Sequence, residues 1–92
     1  MSHTTKHKAK LLARVRRMKG QLVALETALE GGTDHADLLN IVASVRGAMN
    51  GLTAELIELH IREHVANPDS DSDPRRAEGA AELIDIVRMY LK

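Results

Sequence analysis

The sequence predicts an all-α protein with three helices and an almost purely aliphatic core. Hydrophobic residues make up 43% of the 92-residue chain, yet it has one Tyr and neither Phe nor Trp. Leu, Met and Ala favour helices over sheets. The apolar positions recur at alternating spacings of three and four, as in a helix-packing seam. A chain of this length is expected to fold as one domain, residues 1–92.

The first helix is predicted from about Thr5 to Glu30. Gly31 and Gly32 follow, as glycine commonly does past a helix end. The seam of this helix has the spacing 4-3-4-3-4 and consists of Leu11, Val15, Met18, Leu22, Leu25 and Leu29.

The second helix begins after Thr33 or Asp34, either of which can act as its N-cap. Pro68 marks its end. Its seam continues the same pattern and consists of Leu38, Val42, Val45, Met49, Leu52, Leu56 and Leu59. After the polar loop NPDSDSDP, an Asp–Pro pair, Asp73 and Pro74, provides an N-cap and a first helical residue. A third helix is therefore predicted over about 74–91.

The length of the second helix predicts self-association. Roughly 32 helical residues extend about 48 Å, whereas a small domain is about 30 Å across. Further apolar residues widen the surface of this helix beyond one seam: Ile41, Ala48, Ile57 and Ile61. Such a helix needs a second partner. We expect a dimer whose two long helices per chain form an antiparallel four-helix bundle, and a dimer of dimers if the third helix also docks.

The charge of the chain is zero overall but unevenly distributed. The first 25 residues contain seven basic and no acidic residues, whereas the remainder contains six basic and thirteen acidic residues. Lys10, Arg14, Arg17 and Gln21 are spaced 4-3-4 and form one stripe beside the seam. A basic stripe on one helix is typical of a surface that follows nucleic-acid phosphates. The alternative is a solvated helix face with acidic neighbours.

The segment HIREH, residues 60–64, fits the H-x-x-E-H zinc motif of one class of metallopeptidases. Such enzymes need a third ligand, an open metal position and a substrate cleft. A short aliphatic bundle has little room for a cleft, so we expect no enzyme activity. His60 and His64 nonetheless share one helix face and can chelate one metal ion.

The other histidines suggest a site shared between subunits. His35 opens the second helix and precedes His60 by 25 residues, about 37 Å along a straight helix. One chain cannot bring them together, but two antiparallel copies can. We expect His3 in the N-terminal segment to fold over this site, and His7 is a further candidate.

The segments KLLARVRRMKGQLVALE, VASVRGAMNGLTAELIELHIREHV and ELIDIVRMYLK resemble the CsoR/RcnR family of bacterial metal- and aldehyde-sensing repressors. The resemblance covers nearly the whole chain. It implies an all-helical dimer of dimers that binds operator DNA when ligand-free. Ligand binding then releases the DNA and turns on an export or detoxification gene. The family has no helix-turn-helix motif, and none is found here.

The resemblance also assigns the ligands. His35 stands where the family usually has Cys, and the absence of Cys removes copper(I) and formaldehyde chemistry. The other ligand positions match His60, His64 and, in the nickel/cobalt branch, His3, with the Ser2 amine a further donor if Met1 is removed. The resemblance favours Ni(II) or Co(II), while a tetrahedral site would favour Zn(II). Asp34 and Glu63, next to ligands, would orient the imidazoles.

For DNA, the positions that match the family are Arg14, Arg17 and Lys19, with Lys10, Arg16, Gln21 and Arg46 as further candidates. Nothing in the sequence resembles a signal peptide or a membrane span. We therefore expect a cytoplasmic protein whose partners are operator DNA, a divalent metal ion and further copies of itself, with no role for a membrane.

Overall fold

The computed structural model describes the backbone of residues 2–91 and the side chains of residues 7–91. All regular secondary structure in that part of the chain is helical. Helix α1 spans Ser2–Glu30, α2 spans His35–His64 and α3 spans Pro74–Tyr90. The predicted three-helix, all-α class is therefore confirmed. None of these helices, as far as they are described, combines the length and apolarity needed to cross a bilayer.

Helix α1 ends immediately before Gly31 and Gly32, as the sequence predicted. Gly32 has a φ of 70°, in the left-handed region that glycine adopts without steric cost. The Thr33 amide donates to the Ala28 carbonyl at 3.0 Å, and the Gly32 amide donates to the Leu29 carbonyl at 3.3 Å. This pair of bonds is a Schellman motif, which satisfies carbonyls that the helix end leaves without partners.

Helix α2 ends at His64, four residues before the Pro68 that the sequence suggested. The amides of Val65 and Ala66 both donate to the Ile61 carbonyl, which closes the last turn. The chain then turns around Asn67, whose carbonyl accepts from two later amides and whose side chain accepts from the Asp69 amide at 2.9 Å. The Asn67 side chain therefore stabilises the turn that follows the helix.

Helix α3 begins as the Asp–Pro pair predicted. The Asp73 carboxylate accepts from the Arg75 amide at 2.9 Å, and Pro74 occupies the first turn. Proline is favoured there because its missing amide would have had no intrahelical partner.

The chain comprises two compact units, Met1–Leu52 and Thr53–Lys92. In the first unit, α1 and the start of α2 run antiparallel. The Gln21 amide nitrogen donates to the Ser44 hydroxyl at 2.8 Å, and the Arg14 guanidinium lies against Gly51. These two contacts are seven residues apart on each helix, in opposite directions. Met18, midway between them on α1, is 5% exposed.

The second unit packs α3 on the end of α2. Ile61, Ala80 and Ile84 form its buried cluster, with Ala66 and Val87 packed against it. Ile61 was one of the residues predicted to need a partner beyond the seam, and α3 supplies that partner.

Alternate members of the predicted seams differ in burial. On α1, Leu11, Met18 and Leu25 are half-buried or buried. The intervening residues, Val15, Leu22 and Leu29, are exposed. The same alternation recurs on α2, where the exposed members are Val42, Met49 and Leu56. Within one chain, therefore, only half of each seam is covered.

Candidate metal and DNA-binding sites

His60 and His64 lie in the last two turns of α2 and are both exposed. Their ring centroids are 4.9 Å apart and the ring planes are inclined by 41°. The i, i+4 spacing on a continuous helix produces this juxtaposition. Two imidazoles so placed can each direct a ring nitrogen to one metal ion, which binds the neutral form of the ring.

The carboxylate of Glu63 lies beside this pair. Its Oε2 atom is 4.0 Å from His64 Nε2, and the His64 side chain is 63% exposed. That distance exceeds a hydrogen bond, so the orienting role of Glu63 stays a prediction. Asp34, the other predicted orienting residue, is exposed in the turn before α2.

The face of α2 opposite the histidine pair is held by a set of ion pairs. Glu58 accepts from Arg62 Nε at 3.1 Å and from Arg88 of α3, whose Nη2 atom lies at 2.7 Å. Arg62 also donates to Asp69 at 2.8 Å and to the Asn67 side chain at 3.3 Å. The end of α2, the following loop and α3 are therefore connected by charge-assisted hydrogen bonds.

Sequence reasoning missed this network. The i, i+4 spacing of Glu58 and Arg62 was a usable signal. Arg88, 30 residues after Glu58, offered none, because no local pattern specifies which residues of another helix will face it.

His35 lies in the first turn of α2 and is exposed. It borders an open apolar hollow of about 250 Å³ together with Leu38 and Leu39. His7 is half-buried on α1, and the His3 side chain lies outside the described residues. Within residues 7–91 of one chain, no three groups of the type His, Cys, Asp or Glu come together as a metal site.

The donors that are described fit a nitrogen/oxygen-binding metal only in part. His60 and His64 supply two imidazoles at chelating separation, and the chain has no thiolate. A borderline divalent ion such as Ni(II), Co(II) or Zn(II) suits imidazole. Two ligands do not complete a site for any of them, so further donors are required.

The predicted DNA-binding residues fall into two groups. Five are exposed: Lys10, Arg16, Arg17 and Lys19 on α1 and Arg46 on α2. Arg14 and Gln21 are instead half-buried and contact α2. The predicted stripe is thus open to solvent at Lys10 and Arg17, while its other two members lie between the helices of the first unit.

Comparison with known proteins extends over the whole chain. Residues 7–89 match a family described as metal-sensitive transcriptional repressors. The chain is 48% identical, over the full length of both proteins, to a Serratia marcescens protein described as an uncharacterized protein in the bioA 5′ region. It is 36% identical, again over both full lengths, to the transcriptional repressor RcnR of Salmonella paratyphi B.

A solved structure is also similar. It is a Glu-to-His variant of the formaldehyde-responsive regulator FrmR from Salmonella enterica serovar Typhimurium. The two chains superpose with a TM-score of 0.66 at 39% identity, over 96% of this chain and 98% of that one.

Proposed function

Because this chain belongs to the family of metal-sensitive transcriptional repressors, we propose that it represses transcription by binding operator DNA in its metal-free state. Binding of Ni(II) or Co(II) then releases the DNA and derepresses a gene for metal export. The observation that carries the proposal is the chelating pair His60–His64 in a family member that has no Cys.

The family consists of transcriptional repressors and not of enzymes. The expectation that HIREH is not a peptidase motif is therefore confirmed. We accordingly assign the histidines of that segment to metal sensing. A sensor binds the metal but does not use it to activate water.

The proposal includes self-association, and the exposed half of each seam supports it. Leu22 is 50% exposed and Leu29 is 60% exposed, although both belong to an apolar seam. Burying the remaining half of such a side chain contributes on the order of 1 kcal/mol. A second copy, presenting the same exposed row, covers these residues in an antiparallel four-helix bundle. A pair of such dimers makes a tetramer.

The dimer completes the metal site. Antiparallel packing of two copies of α2 brings His35 of one chain to His60 and His64 of the other, across about 37 Å of helix. Asp34 and Glu63 then lie next to ligands, where a carboxylate can accept from the second nitrogen of an imidazole. Two bridging sites per dimer follow from the two-fold symmetry.

The choice of metal rests on the number of donors. Three histidines and one further ligand make a tetrahedral site of the kind that Zn(II) prefers. His3 would add a donor and allow a higher coordination number, which suits Ni(II) and Co(II). The similarity to RcnR favours the second arrangement, and Zn(II) is the alternative.

The similarity to FrmR raises formaldehyde as another effector. In the family that this chain resembles, aldehyde sensing depends on a Cys nucleophile at the position of His35. This chain contains no Cys, so we assign it a metal effector.

The DNA-binding face comprises the exposed basic residues of α1, with Arg46 on α2 beside them. Contacts between these side chains and phosphates release counterions, so operator binding weakens steeply as salt rises. Arg14 and Gln21 belong to the same face at its border with α2.

The direct experiment measures operator binding by fluorescence anisotropy with no metal and with Ni(II), Co(II) or Zn(II). Release by Ni(II) and Co(II), lost in His3→Ala while Zn(II) binding remains, supports the proposal. If only Zn(II) releases the DNA and His3→Ala has no effect, the zinc alternative holds. If no metal changes operator binding, the protein is not a metal sensor.

Mixed dimers test the bridging site. Chains with His35→Ala and chains with His60→Ala each lack a ligand for every site when alone, but a mixed dimer retains one complete site. A mixture of His35→Ala chains with chains carrying both substitutions is the matched control, because it retains none. High-affinity metal binding in the first mixture alone supports the antiparallel geometry. Equal loss in both mixtures contradicts it.

A further inference from the structure

Gly51 lies directly beneath the guanidinium of Arg14. A Cβ atom at this position would collide with Arg14 Nη1 and would lie 3.6 Å from Arg14 Cζ. The other glycines within the three helices are different: a Cβ at Gly20, Gly47 or Gly79 meets nothing within 4 Å. Gly51 is therefore the one helical glycine whose missing side chain makes room for another residue.

Arg14 is held closely at this position. It is half-buried, its Nε atom is screened from solvent, and it makes a further polar or electrostatic interaction. Seven residues further along α1, the hydrogen bond from Gln21 to Ser44 is a second contact between α1 and α2. The guanidinium is thus confined by the neighbouring backbone, while the arginines at positions 16 and 17 are exposed.

We infer that Gly51 is a positioning residue for DNA binding: it seats the Arg14 guanidinium on α2 and so orders it before a phosphate is bound. This inference rests on the proposed assignment of Arg14 to the DNA-binding face. A long side chain that is free in solution loses rotamer freedom when it binds. A seated guanidinium has lost most of that freedom on folding, and its planar fork keeps a fixed direction.

The test compares Gly51→Ala with Gly47→Ala, Arg14→Ala and the double variant at positions 14 and 51. The first two make the same change four residues apart in α2 and raise helix propensity equally. Only Gly51→Ala displaces Arg14. Operator affinity is measured over a range of salt concentrations, with circular dichroism and sedimentation used to verify the fold and assembly of each variant.

The expected result for Gly51→Ala is a loss of operator affinity of about 2- to 10-fold, the range that corresponds to disordering one long side chain. Gly47→Ala should bind as the parent protein does. Arg14→Ala should weaken binding and reduce the slope of log affinity against log salt by about 0.9, the effect of one phosphate contact. In the Arg14→Ala background, Gly51→Ala should have no further effect, because both changes act through one side chain.

Each other outcome overturns the inference. If Arg14→Ala has no effect, Arg14 does not contact DNA, and that part of the proposed function fails as well. If Arg14→Ala weakens binding but Gly51→Ala does not, the proposed function stands and the seat has no role. Equal losses in Gly51→Ala and Gly47→Ala would assign the effect to the helix, and tighter binding by Gly51→Ala would mean that the seat withholds Arg14 from DNA.

Discussion

Replacing Ile84 with alanine tests whether the small core of the second unit stabilises the helix end that carries the histidine pair. Ile84 is 2% exposed and packs in one cluster with Ile61 and Ala80. The substitution removes three carbon atoms, at about 0.8 kcal/mol each by transfer, and leaves a cavity. The free energy of unfolding should therefore fall by about 3 kcal/mol. That is a large fraction of the stability of a chain this short.

Ile61 lies between His60 and Arg62 on α2, so weaker packing by α3 should also loosen the segment that we propose to bind metal. The assays are urea unfolding, followed by circular dichroism, and titration with Ni(II). Affinity for the metal should decrease together with stability.

Ile86→Ala is the matched control, because it removes the same atoms from the same helix at a residue that is 49% exposed. Its expected effect is roughly 1 kcal/mol, in proportion to the smaller area that it buries. Equal destabilisation by the two substitutions would refute the reasoning, because it would show that burial in this cluster does not determine which residues hold α3 in place.

Three further predictions concern capping, acid stability and assembly. Asp73→Ala should lower stability by about 1 kcal/mol, as loss of an N-cap does, and Asp73→Ser should restore most of it in the same urea assay. Hydrogen bonds from Arg76 and from the Asp73 amide hold the pKa of Asp71 below its ordinary value of 3.8. The ionised Asp71 carboxylate therefore stabilises the fold fully above pH 3.8, and this contribution is lost as pH falls through the lowered pKa. Acid unfolding curves of Asp71→Asn should lack this pH-dependent contribution. An unchanged curve would show that the ion pair is not formed. Met49→Glu should dissociate the assembly in sedimentation experiments, because it places a charge without a partner in the seam, whereas a variant that stays fully associated would mean that the seam is not the interface.

The sequence predicted the position of a helix end where the residues at that end determine it. Gly32 has the positive φ that favours glycine, and Asp73 with Pro74 caps α3 within three residues of chain. The end of α2 was predicted at Pro68 but lies at His64. The residues around that end bond to one another across the following turn, Arg62 to Asn67 and the Asp69 amide to Asn67.

Among the candidate metal ligands, the sequence predicted the proximity of one pair within a single chain. His60 and His64 share a face because of their spacing on one helix, and the structure brings their rings together. The role of His35 remains a prediction, since it requires a second chain. The sequence predicted one stripe of Lys10, Arg14, Arg17 and Gln21 beside the seam of α1, forming a face that follows phosphates. In the structure Arg14 lies against Gly51 and Gln21 donates to Ser44, both on α2, and no pattern within one helix specifies these partners.

By itself, the sequence determined that this protein is helical, that each long helix carries a seam at alternating spacings of three and four, and that its basic charge is concentrated on α1. These properties follow from the period of the helix and from composition. Only the tertiary structure decided which half of each seam is the less exposed within the chain, Met18 and its equivalents rather than Leu22 and its equivalents. Both halves lie on one apolar stripe of the helix surface, and the axis of the neighbouring helix selects between them. That axis is set by contacts between residues distant in sequence, such as Gln21 with Ser44 and Arg14 with Gly51, which no periodicity along one helix can specify.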